Sequence, residues 1–290
     1  MLYLGTSGFS YNDWVGPFYP LGMPKGEWLR YYAREFNCCE INATFYTVPK
    51  PATLVSMANK TGEGFLFSIK ANQRMTHEQG ENEDVFTAFR EVLTPLIDRG
   101  MMGCVLAQFP YSFRYNRKNR DYLEIVRERL RDLPVVIEFR NAQWLRREVF
   151  DWLRRNELGF CCVDEPQLPN LLPPVAKVTS KVAYVRFHGR NKEKWWQHEH
   201  AYERYDYSYS PEELAEWLPK IHNLDQIAER TFIFANNHFK HKSVVTIRML
   251  HSMLQAHFPH MDISMPTPSG KDASPIPFHL ASQENNTPQA

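Results

Sequence analysis

The sequence predicts one large α/β domain, a (β/α)8 barrel of the TIM type, followed by a tail. Eight short runs of apolar or β-branched residues are spaced along the chain, and most gaps between them carry amphipathic helical patterns. Such an alternation over roughly 250 residues is typical of this barrel. The runs lie at residues 2–7, 38–44, 65–71, 102–109, 134–140, 159–164, 182–189 and 230–237.

The gaps between these runs predict the helices in order. The stretch "GEWLRYYAREF" repeats apolar residues at helical spacing, and "DVFTAFREVLTPLIDRG" does the same with Gly100 as a stop signal. The pattern continues in "DYLEIVRERLRDL", "EVFDWLRRNELG", "PEELAEWLPKI" and "SVVTIRMLHSML", and Pro211 suits a first helical position. The gap between residues 164 and 182 carries four prolines, which predicts a loop with a short or absent helix.

An open doubly wound sheet is the alternative fold. That fold usually carries a GxGxxG motif after its first strand, and "GTSGFS" lacks this spacing. The barrel domain is predicted to span residues 1–256. From residue 257 to 290, the abundance of Pro, Ser, Asn and Gln predicts a low-complexity, disordered tail.

The composition favours a soluble, cytoplasmic protein. The chain is 43% hydrophobic and 23% charged, and its net charge of +1 provides no broad basic surface for nucleic acid. Its five cysteines show no CxxC spacing, which argues against a zinc or disulfide framework and fits a reducing compartment. No run approaches the ~18 apolar residues of a membrane span, and the first residues do not resemble a signal peptide.

The predicted strands end in charged and polar residues. In "PVVIEFR", Glu138 and Arg140 share a face with Val136, because residues two apart in a strand point the same way. The opposite face must pack on the helices, so both charges face the barrel axis and emerge at the carboxyl-end mouth, where barrel active sites lie. Six other strands end in Glu40 and Asn42, Ser68 and Lys70, Gln108, Asp164, Arg186 and His188, and Asn236 or Asn237.

A purely structural role for these charges is the alternative. Glu138–Arg140 and Glu40–Arg186 would then be buried ion pairs, which proteins tolerate only when the charges are matched. The charges are nearly balanced, and a charged cluster in a cleft indicates a functional site without proving one. The two sides of the balance are Glu40, Glu138 and Asp164 against Lys70, Arg140 and Arg186.

Several long motifs resemble one family. "LGTSGFSYNDWVGPFYP", "FNCCEINATFY", "FSIKANQRMTH", "LAQFPYSF", "IEFRNAQW" and "VRFHGRN" are similar to the YecE-like family, catalogued as domain of unknown function 72, from Leu2 to about Leu254. The resemblance implies a TIM barrel and no particular reaction. It also marks the mouth residues Glu40, Asn42, Tyr46, Lys70, His77, Gln108, Glu138, Arg140, Asp164, Arg186 and His188. One departure is "ANNHFKHKSVV", where Lys240 and His241 replace the small residues that an anion cradle at the last helix would need.

Three functions compete for this mouth. In the favoured one, the site is a metal-free acid–base enzyme for a small anionic or sugar-like substrate, with hydrolysis or isomerisation as the leading reactions. Glu138 or Glu40 would act as the base and His188 as the acid, with Asp164 as a further catalytic candidate. Arginine suits oxyanions, and the predicted substrate-binding residues are Asn42, Tyr46, Lys70, His77, Gln108, Arg140, Arg186 and Asn236.

The second function is a divalent-metal hydrolase or isomerase with Glu40, Glu138, Asp164 and His188 as ligands. The third is a non-catalytic module that stacks bases or sugars on the aromatic loop "RNKEKWWQHEHAYERYDYSYS". That loop has no basic excess, so nucleic acid is the less favoured partner and a lid over the mouth is the favoured interpretation. The sequence indicates no particular cofactor and no oligomeric state.

Overall fold

The computed structural model describes residues 1–266, and eight parallel strands form its centre. They are arranged in the order β1-β8-β7-β6-β5-β4-β3-β2, and helices lie between them along the chain, which confirms the predicted TIM-type barrel. The strands are Leu2–Thr6 (β1), Cys38–Ile41 (β2), Leu66–Lys70 (β3), Met102–Gln108 (β4), Val135–Glu138 (β5), Gly159–Asp164 (β6), Val182–Phe187 (β7) and Arg230–Ala235 (β8).

Several strands end earlier than predicted. Asn42, Arg140, His188 and Asn236 come just after β2, β5, β7 and β8, in the first residues of the following loops. The amides of His188 and Asn236 still donate to the Asp164 and Phe187 carbonyls of the neighbouring strands, both at 2.8 Å, so these two residues remain at the mouth. In β5 the contacts agree with the predicted facing, because Glu138 contacts Arg186 of β7 across the barrel, whereas Phe139 stacks on Trp144.

The barrel closes between β1 and β2 through very few backbone bonds. An isolated bridge joins Ser7 to Glu40, and the Gly8 amide donates to the Glu40 carbonyl at 2.7 Å. Gly5 allows the two strands to approach, since a Cβ at this position would lie 2.5 Å from the Cys38 carbonyl oxygen. Only glycine fits this seam without moving a strand.

The helices surround the barrel and bury one face each. The predicted core residues of the fourth helix are all buried: Val85, Phe86, Phe89, Val92, Leu93 and Leu96. Residues 165–181 contain no helix, as their prolines predicted. The helices are Trp28–Tyr32 (α1), Ala43–Tyr46 (α2), Pro51–Thr61 (α3), Glu83–Ile97 (α4), Arg117–Arg129 (α5), Arg147–Arg155 (α6), Pro211–Ala215 (α7), Leu218–Ile227 (α8) and Lys242–His257 (α9).

Two helical regions differ from the predicted pattern. The sequence analysis did not single out α3, although Pro51 at its first turn is a start signal. The predicted helix over "PEELAEWLPKI" is two helices, because Pro219 lies in the first turn of α8 and cannot continue α7. Pro211 does begin α7, with the Ser210 side chain capping it.

The predicted tail is structured at its beginning. After α9, the chain returns to β1, where the Leu2 amide donates to the Asp262 carbonyl and the Ser264 amide donates to the Leu2 carbonyl, both at 2.8 Å. The domain therefore extends past the predicted boundary at residue 257. The rest of the predicted tail, residues 267–290, lies outside the described residues.

Within residues 1–266, no helix combines the length and apolar character that crossing a membrane requires.

Candidate functional site

The centre of the mouth is a buried ion network built around Arg186. Its Nη1 lies 2.7 Å from Glu138 Oε2, and its Nη2 lies 2.6 Å from Glu40 Oε1. The Tyr184 hydroxyl donates to the other Glu40 oxygen at 2.7 Å. All four residues are almost fully buried, and one guanidinium is shared by both carboxylates. The Glu40–Arg186 ion pair that the sequence analysis named is therefore present.

Glu138 is the most heavily bonded residue of the network. Besides Arg186, it contacts Arg140 Nε at 2.6 Å and His188 Nε2 at 3.1 Å. Burial alone would raise the pKa of Glu138, but Arg140, Arg186 and His188 together hold it well below its ordinary value. Glu138 is therefore ionised, and its low basicity and engaged oxygens make it a poor general base.

His188 is held neutral in the same network. Burial and the nearby charge of Arg140 lower its pKa well below the ordinary value. An ionised Glu138 can only accept, so His188 Nε2 carries the proton of the hydrogen bond between them. His188 Nδ1 then accepts from the Asn236 amide at 3.1 Å. Both ring nitrogens of the predicted catalytic acid are thus bound within the protein.

Glu165 is a site residue that the sequence analysis missed. It is fully buried, its Oε2 lies 3.2 Å from Arg140 Nη1, and its Oε1 accepts from the Leu172 amide at 3.0 Å. Burial raises its pKa to about 7 despite the charge of Arg140. The available signal was its position directly after Asp164, where β6 ends and the proline-rich loop begins.

Asp164 is a structural anchor rather than part of the mouth cluster. Its oxygens accept four hydrogen bonds, from Arg190 Nε and Nη2 and from the Tyr209 and Trp217 side chains, at 2.7–2.9 Å. Arg190 continues outward to Glu216 at 2.8 Å. Asp164 therefore fastens the loop after β7 to the barrel and has no oxygen left for substrate.

That loop covers the mouth, as the lid interpretation expected. Trp195 is buried, with the Arg140 guanidinium 5.9 Å from its ring centre and the His188 ring at 6.5 Å. Tyr205 lies 6.1 Å from the same imidazole. The aromatic side chains therefore pack against the charged network, so stacked bases would have to displace them.

Lys70 differs from every other charge at the mouth. Within residues 1–266, its ammonium group makes no hydrogen bond and no ion pair, and it lies 4.3 Å from the centre of the Phe45 ring. The side chain is half-buried. Burial, followed by the charge of Arg186, lowers the pKa of Lys70 to about 7.

His77 stands beside Lys70 on the same wall. Its ring meets the Phe45 ring edge-on at 4.9 Å, and its Nδ1 lies 2.9 Å from the Thr76 hydroxyl. Burial and the neighbouring charge of Lys70 lower its pKa to about 4, so the imidazole is neutral. The structure thus brings the predicted residues Lys70 and His77 together around Phe45, which the sequence analysis did not name.

Three other predicted binding residues occupy the same sector of the rim. Gln108 ends β4, the strand between those of Lys70 and Arg140, and it pairs in register with Glu138 of β5. The side-chain amide of Gln108 donates to the Phe109 carbonyl at 2.7 Å. The buried Oδ1 of Asn42 has no hydrogen-bond partner among the described residues 1–266. Tyr46 is 72% exposed and touches the mouth residues through Phe45 only, at 5.1 Å.

The predicted metal ligands do not converge on one point. Glu40, Glu138 and Asp164 direct their oxygens at arginine, tyrosine and tryptophan donors, and His188 is bonded on both nitrogens. In the part of the chain that the structure describes, one group of His and carboxylate donors lies close together: Glu199, His200 and Glu203 in the lid. Glu203 is paired there with Lys194 at 3.0 Å.

A cavity of about 300 Å³ opens elsewhere, on the outer surface between α5 and α6. Tyr115, Trp144 and Trp152 line it together with charged residues of the two helices. It is separated from the charged network by the barrel wall, and the lid covers the mouth itself.

Comparison with known proteins places these features in a family. A family model described as "Protein of unknown function DUF72" matches residues 3–272. The UPF0759 protein YunF of Bacillus subtilis (strain 168) is 30% identical over 253 residues, covering 82% of this chain and 89% of YunF. The UPF0759 protein YecE of Escherichia coli (strain K12) is 32% identical over 115 residues, 39% of each chain.

A solved structure supports the same family relationship. A DUF72 family protein from Thermotoga maritima MSB8 superimposes with a TM-score of 0.81 at 38% sequence identity, covering 88% of this chain and 99% of that one. The family match spans nearly the whole domain, and the barrel architecture is shared with this relative. The chain therefore belongs to the DUF72 family.

Proposed function

We propose that the mouth of the barrel is the active site of an enzyme that moves a proton on a small anionic or sugar-like substrate, with Lys70 as the group that carries the proton. The observation that supports this is the isolation of Lys70. The other strong charges of the mouth are paired with one another, whereas the Lys70 ammonium has no ion-pair partner among residues 1–266 and lies 4.3 Å from the centre of the Phe45 ring. A group with a pKa near 7 exchanges protons efficiently at neutral pH.

The buried network has a supporting role in this proposal. Glu138 and Glu165 hold two nitrogens of Arg140, Nε and Nη1. Arg140 Nη2 makes no hydrogen bond within residues 1–266, and the side chain remains 10% exposed. A guanidinium fixed on two sides and open on the third suits a carboxylate or phosphate oxygen.

One polar residue ends the strand between the two cations and another follows the strand on the far side of Lys70, and both suit the rest of a small substrate. Gln108 lies on the strand between those of Lys70 and Arg140. The unpartnered Asn42 Oδ1 is a buried acceptor, and a ligand hydroxyl would satisfy it. Isomerisation by proton transfer is favoured over hydrolysis, because no carboxylate of the network is free to activate water.

The test is a search for ligands followed by a test for chemistry. The first step measures the melting temperature of three proteins, the wild type, Lys70→Met and Lys118→Met, in the presence of candidate ligands. The candidates are small carboxylates, phosphates, sugars and sugar phosphates. Lys118 is an exposed residue of α5, so its variant controls for the loss of one positive charge. Each stabilising ligand is then incubated with enzyme in D2O and followed by NMR.

The proposal expects deuterium to enter a C–H position of at least one ligand with the wild type and Lys118→Met, and not with Lys70→Met. Exchange at the same rate in Lys70→Met would remove Lys70 from the mechanism. A ligand set that stabilises all three proteins equally would place binding outside the mouth. Elemental analysis of protein purified without chelator tests the metal-dependent alternative in parallel.

A further inference from the structure

We infer that Lys70 acts as a nucleophile and forms an imine with the carbonyl carbon of a small oxo acid. The inference rests on the proposed function, because it assumes that the substrate occupies the mouth. It goes further by naming a covalent step and a substrate class, a carbonyl compound that also carries a carboxylate or phosphate.

The first support is the electrostatic isolation of the amine. An amine can attack a carbonyl only in its neutral form, and an ion pair with a carboxylate would favour the protonated form. Lys181, Lys194 and Lys242 of this chain are all paired in this way with Glu229, Glu203 and Asp206. Lys70 instead lies over Phe45, with Glu138 and Glu40 occupied by arginines.

The second support is the presence of two arginines near Lys70. Burial lowers the pKa of Lys70 most, Arg186 and Arg140 lower it further, and Glu138 and Glu40 act in the opposite direction. A lysine placed in a desolvated pocket beside other cations is the arrangement that activates amines for imine formation. At pH 7 such an amine has a neutral fraction about a thousandfold larger than an ordinary lysine.

The third support is the position of the anion-binding group. Lys70 is on β3 and Arg140 follows β5, with one strand between them. Adjacent strands lie ~4.8 Å apart, so the backbones of β3 and β5 are roughly 10 Å apart, a separation that two long side chains and a molecule of a few carbon atoms can span between Lys70 and Arg140. The Nη2 group of Arg140 then donates a hydrogen bond to an oxygen of the acid group.

The covalent step needs no partner beyond the two reactants. The nitrogen lone pair forms the N–C bond while the carbonyl π electrons move to oxygen, which takes a proton that originated on the amine. The resulting carbinolamine loses its hydroxyl group together with the second amine proton, as one water molecule. The product is the C=N bond, and nothing is oxidised or reduced. Phe45 and the neutral His77 border the site, which limits the return of water to the imine.

The test is reductive trapping with defined probes. Wild-type protein is incubated near pH 7 with glyoxylate, pyruvate or dihydroxyacetone phosphate and sodium cyanoborohydride, and lysine-containing peptides are analysed by mass spectrometry. A trapped imine adds the mass of the probe less one oxygen atom. We expect Lys70 to be modified at least about tenfold faster than Lys118 in the same molecules, because of its larger neutral fraction. Acetone serves as the control carbonyl without an acid group and should be trapped more slowly.

The outcomes separate this inference from the proposed function. Equal modification of Lys70 and Lys118 by every acidic probe overturns the imine, and the proposed function survives this result if deuterium exchange still requires Lys70. Equal trapping of acetone and pyruvate at Lys70 overturns the oxo-acid class. Lys70→Arg keeps a positive charge at this position, so it controls for misfolding caused by the loss of that charge. This variant should not be trapped by cyanoborohydride. If it retained full deuterium exchange, the inference would also be overturned.

Discussion

Replacing Lys70 with methionine should stabilise the protein, which is unusual for a residue at a proposed active site. Methionine keeps an unbranched apolar stem while removing the amine, whose nitrogen lies 4.3 Å from the centre of the Phe45 ring. The free energy of unfolding should rise at neutral pH, because the folded protein no longer holds a poorly solvated, positively charged amine beside Arg186.

The magnitude follows from the two pKa values. Lys70 titrates at 10.5 when unperturbed and at about 7 in the folded protein, and a difference of that size corresponds to a ceiling of ~5 kcal/mol. Lys70 is only half-buried, and water at the mouth weakens the effect. We therefore expect Lys70→Met to gain roughly 2–3 kcal/mol near pH 6, or about 4–10 °C in melting temperature.

The gain should depend on pH in a defined direction. Between pH 7 and 10.5 the unfolded wild type binds more protons at this residue than the folded one, so wild-type stability rises with pH across that window. The advantage of Lys70→Met is therefore largest below pH 7 and falls by about half at pH 9.

The assay is urea unfolding of wild type, Lys70→Met and Lys118→Met at pH 6, 7.5 and 9. Lys118→Met should differ from the wild type by less than about 0.5 kcal/mol at each pH. A Lys70→Met variant that is destabilised at pH 6, or whose advantage does not change with pH, would refute the reasoning, because Lys70 would then have an ordinary pKa or an ion-pair partner.

Three further changes test the network around Lys70. Glu138→Gln should cost about 3–5 kcal/mol, because it leaves two buried arginines with too little negative charge; a change below about 1 kcal/mol in urea unfolding would contradict the network. Asp164→Asn should loosen the lid, so limited proteolysis should cut within residues 190–210 faster than in wild type, while cyanoborohydride trapping at Lys70 persists. Glu165→Gln should match the wild type in stability near pH 4.5. As the pH rises to 7, the wild type should lose up to ~3 kcal/mol relative to this variant, because the pKa of Glu165 is raised to about 7 in the folded protein and its ionisation there is unfavourable. Parallel stability curves from pH 4.5 to 8 would show that Glu165 titrates normally.

The sequence predicts the barrel and the facing of its strands well, for a local reason. The two-residue period of a strand and the apolar requirement on its outer face determine where Glu138, Glu40 and Arg186 point. Which carboxylate pairs with which cation depends on distances across the barrel axis, and local periodicity contains no such information.

The misassignments have the same origin. Asp164 looked like another strand-end carboxylate, but its donors Arg190, Tyr209 and Trp217 come 26–53 residues later in the chain. Glu165 lies one residue beyond the end of β6, where the two-residue period of a strand no longer predicts where a side chain points. The lack of an ion-pair partner for Lys70 could not be predicted from the sequence, because it depends on the pairing of Glu40 and Glu138 with Arg186 and Arg140.

The span of the Arg186 contacts also affects how the chain reaches its fold. Arg186 joins Glu40 of the first half of the barrel to Glu138 of the second, across 146 and 48 residues of sequence. Before β7 has been synthesised, a nascent chain with β2 and β5 in place would bury two carboxylates without this shared cation. A fragment holding only the first four strands would lack every arginine of the network. Folding is therefore expected to be completed late in synthesis as one cooperative event, with half-barrels that do not persist on their own.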